Sequence, residues 1–146
     1  MTELQKPVFF IDRCLGSVRL ANALRASGIT VEIHDDHFPQ GAQDEDWLPE
    51  VGERGWVVLT KDGNIAKRTS ERLAVASANI RMFVLVAQNL PGEDMIAVFR
   101  KAFPTMRKFA RENLSPFIAK VYKSGEVSEW KNHKDLLTEL YKAMQG

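Results

Sequence analysis

The sequence predicts an α/β protein built on a mostly parallel sheet, and three observations carry that expectation. Apolar runs of strand length, Pro7–Asp12, Ile29–His34, Trp56–Thr60 and Ile80–Val86, recur between residues 7 and 86. Segments with helical spacing separate them. Most of the runs are apolar throughout rather than alternating, as strands covered on both faces are. Strand, helix, strand in this rhythm implies crossover connections and parallel pairing.

The first strand, Pro-Val-Phe-Phe-Ile-Asp, ends on Asp12. Ser17 then suits the N-cap of a helix over about Val18–Ser27, with Leu20, Ala21, Ala23 and Leu24 inward, and Gly28 closes it. Ile29–His34 alternates like a strand and runs into Asp35-Asp36-His37 and a Pro39/Gly41 loop. His34 and His37 are expected to be solvated rather than ligands of a transition metal. A second helix begins within Asp44–Leu48. Because proline is tolerated only in the first turn, Pro49 favours Asp46 as the N-cap and leaves Asp44 for another role.

Trp56-Val57-Val58-Leu59-Thr60-Lys61-Asp62, bounded by Gly55 and Gly63, reads as a central strand. Its carboxyl end carries Asp62. In open α/β sheets ligands bind beyond those strand ends. One helix is expected from about Ile65 to Ala78, with Glu71 on its polar side, and the fourth strand follows. Gly92 to about Ala110 is the longest helix, its basic face formed by Arg100, Lys101, Arg107, Lys108 and Arg111. A hairpin around Lys123-Ser124-Gly125 and a helix capped by Asn132 complete the chain. The stripe Leu136, Leu137, Leu140, Tyr141 and Met144 fits packing onto the domain or docking a partner or second subunit.

At 146 residues, 45% hydrophobic and 27% charged, the chain is the size of one soluble domain. Its boundaries are read as a core over about 7–112 and a hairpin plus helix over about 115–146. Residues 1–6 lack the basic start and apolar core of a signal peptide, and no apolar run is long enough to span a bilayer, so a cytoplasmic protein without membrane contact is expected. The single Cys14 has no partner for an internal disulfide and reads as a small, half-buried filler. The formal net charge is +1, yet residues 32–54 hold Glu32, Asp35, Asp36, Asp44, Glu45, Asp46, Glu50 and Glu53 against Arg54 alone. That segregation fits an acidic cation site within a polyanion-binding surface, or a solvated acidic loop.

Asp12 and Asp62 end strands that converge if they are neighbours, and Asp44 can reach the same edge. Carboxylates about 4–5 Å apart repel by about 3–4 kcal/mol per pair at an effective dielectric near 20, so such a cluster calls for a cation. Hard oxygen donors favour Mg²⁺ or Mn²⁺ over zinc. That arrangement suits metal-assisted hydrolysis of phosphodiesters. Lys61, Arg13 and Lys67 lie beside the cluster as candidates to hold the scissile phosphate.

Asp12 with Leu15-Gly16, then Leu20-Ala21, Leu24-Arg25 and Gly28, Asp44 before Trp47-Leu48, and Val57–Asp62 together resemble a PIN-like nuclease domain over roughly residues 8–86. The resemblance implies a three-layer α/β/α fold and endoribonuclease activity at an acidic Mg²⁺ or Mn²⁺ site. It implies Asp12, Asp44 and Asp62 as the acids and Thr60 as the polar residue two before the last of them. RNA is the implied substrate. Many small bacterial members are toxins of toxin–antitoxin pairs, which adds a cognate antitoxin as partner; a homodimer is the other expected assembly. The first helix carries no acid, so the fourth ligand falls to Asp35, Asp36 or Asp46. Two alternatives stand beside this reading. A PIN-like module without catalysis would bind RNA or protein; a receiver-like domain fits less well, because Arg13 follows Asp12 and the fourth strand ends Val86-Ala87.

Overall fold

The computed structural model describes residues 7–16, 18–87 and 89–146. Six strands, β1 (Val8–Ile11), β2 (Thr30–Ile33), β3 (Val57–Thr60), β4 (Arg81–Leu85), β5 (Phe117–Val121) and β6 (Val127–Lys131), form one sheet in the order β2-β1-β3-β4-β5-β6. All pairings are parallel except β5 with β6. The chain moves from β1 to β2 on one side, then crosses to β3 on the other, which places the reversal of strand order between β1 and β3. Crevices open at such reversals, beyond the carboxyl ends of the strands.

Two helical layers cover the sheet, giving the three-layer α/β/α architecture. Side chains of successive strand residues point to opposite faces, so Phe9, Ile11, Val57, Leu59, Phe83 and Leu85 enter one core and Phe10, Val58, Met82 and Val84 the other. The first core lies under α1 (Val18–Ala26) and α6 (Gly92–Glu112). The second lies under α3 (Asp44–Glu53), α4 (Asn64–Lys67), α5 (Thr69–Ser77) and α7 (His133–Gln145). The C-terminal hairpin is continuous with this architecture: β5 pairs with β4, and α7 packs on α5.

Helices α1, α3 and α5 hand over to β2, β3 and β4 through one device. The residues after each helix, Gly28 (φ 87°), Gly55 (φ 69°) and Asn79 (φ 59°), adopt left-handed backbone, and the next residue's N–H returns to the carbonyls of Leu24, Val51 and Val75. At the β2 edge, the Arg25 guanidinium donates twice to the Val31 carbonyl, at 3.2 and 2.7 Å.

The structure departs from the sequence reading in four places. The cap of α3 is Gln43, with a capping box to Asp46, so the helix starts three residues earlier than Pro49 suggested. Burial of Trp47, Leu48 and Val51 offsets the donor that Pro49 lacks. The expected helix over 65–78 is two, because Arg68 is extended (φ −96°, ψ 130°). His34 leaves β2 to begin the one-turn α2 (His34–His37) and is buried against Phe10, Phe38 and Trp47, not solvated. His37 Nε2 lies 2.7 Å from Glu32. The Ser17 cap lies outside the described residues.

The α7 stripe divides. Leu136 is buried and Leu140 packs beside it, whereas Tyr141 and Met144 are 63% and 76% exposed. Among the described residues no helix is long and apolar enough to cross a membrane.

Helices α3 and α5 approach closely at Gly52, where an added Cβ would overlap the Ala78 carbonyl oxygen. Backbone cannot yield as a flexible side chain does. Gly52→Ala is therefore expected to destabilise the fold by about 1–3 kcal/mol, read as a lower midpoint in urea unfolding at unchanged slope.

Candidate functional site

The register Ile11↔Leu59 brings the carboxyl ends of β1 and β3 side by side. Asp12 follows β1 and its N–H is bonded to the Leu59 carbonyl at 2.9 Å. Its side chain is 8% exposed, and Thr60, wholly buried, donates its hydroxyl to Asp12 Oδ2 at 2.7 Å. The same hydroxyl oxygen accepts the Asp62 N–H at 3.1 Å. Thr60 thus fixes one oxygen of Asp12 and the backbone of Asp62 at once, as a buried polar group must when it has no water to turn to. Asp62 Oδ1 in turn accepts the Asn64 N–H at 3.0 Å and starts α4.

Asp44, the first residue of α3, faces this edge. Its carboxyl pKa is raised to about 6, first by burial and then by the negative charges of Asp12, Glu71 and Asp62; a hydrogen bond from the Trp47 side chain opposes the shift. Carboxylates from three other parts of the chain, Asp12, Asp62 and Glu71, thus act on Asp44. Glu71 was on the polar side of the expected continuous helix. The break at Arg68 rephases the chain and makes Glu71 a first-turn residue of α5, where the helix dipole favours its charge. Its Oε2 is buried without a hydrogen-bond partner among the described residues, and Arg68 approaches Oε1 only to 3.6 Å.

Two of the candidates for the fourth acid, Asp46 and Asp35, are otherwise engaged. Asp46 Oδ2 accepts the Gln43 N–H at 3.0 Å, and Asp35 pairs with Arg13 at 3.4 Å. Both members of the Arg13 pair are about half exposed, at 46% and 50%, where ion pairs contribute about 0–1 kcal/mol. Lys61 and Lys67 are exposed, on the loop after β3 and in the last turn of α4. Of the basic face of α6, Arg100 is used internally, donating to Ser27 and to the Ala23 carbonyl.

The sequence reading also missed the place of Cys14. The residue is exposed, yet its Sγ turns inward, 3.1 Å from Thr60 Oγ1 and 3.4 Å from Asp12 Oδ2, and accepts the Lys61 N–H. Burial and the Asp12 charge push its thiol pKa up to about 11. Beside it, Arg13, Val18, Ile33 and Asp35 line a cleft of about 560 Å³. A more apolar cleft near Phe109 and Phe117 lies at the opposite ends of the strands, away from the carboxylates.

As placed, no three of the described His, Cys, Asp and Glu side chains are close enough to grip one bare ion. Mg²⁺ sites rarely need that, since the ion keeps several waters and uses one or two carboxylates directly. The raised Asp44 pKa, an orphaned buried Glu71 oxygen and an all-oxygen donor set fit a hydrated hard cation.

Fold and site define a class: a three-layer α/β/α protein with an acidic centre at the carboxyl edge of its parallel sheet. The model of the PIN like domain family matches residues 7–87, more than half of the chain, and the chain belongs to that family. It is also 29% identical over 119 residues to "Putative ribonuclease VapC45" of Mycobacterium tuberculosis (strain ATCC 25618 / H37Rv), covering 79% of this chain and 86% of the relative. No solved structure matches.

Proposed function

We propose that the protein is a Mg²⁺- or Mn²⁺-dependent endoribonuclease whose acidic centre consists of Asp12, Asp44, Asp62 and Glu71. The observation that carries this reading is the raised pKa of Asp44 under the charges of the other three, at the β1/β3 crevice. The name of the mycobacterial relative supports ribonuclease chemistry. The reading extends to the toxin of a toxin–antitoxin pair, acting in the cytoplasm, the role the family resemblance implies.

In this proposal the four carboxylates would hold a hydrated cation, one or two of them directly and the others through its waters. Bound there, a divalent ion supplies polarisation of the phosphate and a more acidic water. Thr60 keeps one Asp12 oxygen occupied, so that the other is presented to the site. Lys61 and Lys67 attract the RNA backbone, and Arg13 joins them by exchanging Asp35 for a phosphate.

The test is cleavage of single-stranded RNA with Mn²⁺, Mg²⁺ or EDTA, paired with melting curves under the same conditions. Cleavage is expected only with the divalent ions, and Mn²⁺ is expected to raise the melting temperature by binding the folded state. An inert protein whose melting is the same in Mn²⁺ and EDTA would leave the reading of a PIN-like binding module without catalysis.

A further inference from the structure

Arg72 makes four side-chain hydrogen bonds away from the four acids. Its Nε and Nη2 form a bidentate pair with Glu139 of α7 at 2.7 and 2.8 Å, its Nη1 donates to the Ala66 carbonyl at 3.0 Å, and its Nη2 reaches Thr69 Oγ1 at 3.1 Å. One guanidinium thus ties together the end of α4, the start of α5 and α7. These attachments bracket Arg68, the extended residue that separates α4 from α5 and turns Glu71 into the first turn of α5. The Ala66 carbonyl is among those that the short α4 cannot satisfy internally.

The pair is well covered, with Arg72 15% and Glu139 33% exposed. Bidentate Arg–carboxylate bonds add geometric definition as well as energy. Glu71 needs that definition from its backbone, because its buried Oε2 has no hydrogen bond to orient it. Residues Glu71 and Arg72 are adjacent, about 100° apart around the helix, so anchoring Arg72 on one side sets the direction of Glu71 on the other.

We propose that Arg72 and Glu139 are positioning residues of the acidic centre, and that α7 thereby belongs to the support of the site rather than being an appendage. The inference rests on the carboxylate-centre reading above, with Glu71 as a cation ligand. Loss of an outer partner of a metal ligand typically weakens metal affinity about 10–100-fold. Glu139→Gln keeps the shape of the side chain and removes its charge, and it touches none of the four acids.

The test is Mn²⁺ titration calorimetry on the full chain, with melting temperature and RNA cleavage measured in parallel. Glu139→Gln is expected to weaken Mn²⁺ binding about tenfold in the wild-type background and to have no further effect in Glu71→Gln, because the two act through one group. Arg72→Lys, which cannot make the bidentate pair, is expected to show the same coupling and serves if Glu139→Gln folds poorly. A lowered melting temperature with wild-type Mn²⁺ affinity would make the clamp merely structural and overturn the proposal, as would equal losses in both backgrounds. A wild-type protein that binds no Mn²⁺ and cleaves no RNA would overturn the acidic centre itself and the clamp with it. Normal wild-type activity with an indifferent Glu139→Gln overturns the clamp alone.

Discussion

Asp12→Asn is expected to reduce RNA cleavage by at least about 10²–10³-fold, the scale for losing one preorganised charged group, while the protein stays folded. The side chain is 8% exposed and keeps its shape in the variant. The amide oxygen of asparagine can still accept the Thr60 hydroxyl, so the buried bond is preserved. The amide nitrogen then occupies the place of the oxygen that faced the site, and a donor there repels a cation. Repulsion on Asp44 also falls, so the ion-free variant is expected to melt no lower than the wild type. Cleavage assays beside circular dichroism melting check both halves. Full activity in Asp12→Asn would remove Asp12 from the acidic centre.

The second large effect is on stability against pH and centres on Asp44. Its folded pKa of about 6 stands above the ordinary 3.8. The folded protein therefore binds a proton that the unfolded chain releases more readily. The stability this contributes is fully present below about pH 4 and is lost as pH rises through about 6. A shift of this size, discounted for partial exposure and solvent screening, corresponds to on the order of 1–2 kcal/mol. In EDTA, Asp44→Asn is expected to be more stable than the wild type at pH 7 and to lose that advantage by pH 4. Saturating Mn²⁺ at pH 7 is expected to reverse the order, since the wild type gains a ligand that the variant holds poorly. Chemical denaturation at the two pH values, with and without Mn²⁺, measures the crossover.

Some of this was legible from sequence because strand ends are marked twice. Asp12 and Asp62 follow apolar runs that can be only buried strands, and Gly63 confirms the second stop. Their meeting depended on β1 and β3 being neighbours, which the sheet provides. Asp44 was not left free for another role by a cap at Asp46, because that cap belongs to Gln43. Pro49 was weighed against the helix interior, whereas burial of Trp47, Leu48 and Val51 and the Gln43/Asp46 box decide where α3 starts. Glu71 was missed because a periodic pattern has no mark for a change of phase. Nothing in Lys67-Arg68-Thr69 announces a break, since none of the three is glycine or proline; the break is held from afar by Arg72 and Glu139. His34 shows the same limit. A histidine in an acidic loop reads as solvated until Phe10, Phe38 and Trp47 close around it.

The two Arg25 hydrogen bonds on the Val31 carbonyl bear on self-association as well as on the fold. β2 is an outer strand of the sheet, and an outer strand offers its unpaired backbone groups to any other chain in extended form. A strand arriving at β2 would have to displace a charged donor from the acceptor at its centre before its own N–H could bond there. Crowding and partial unfolding are the conditions under which that edge is challenged. The guanidinium thus occupies an edge acceptor that an added strand would need.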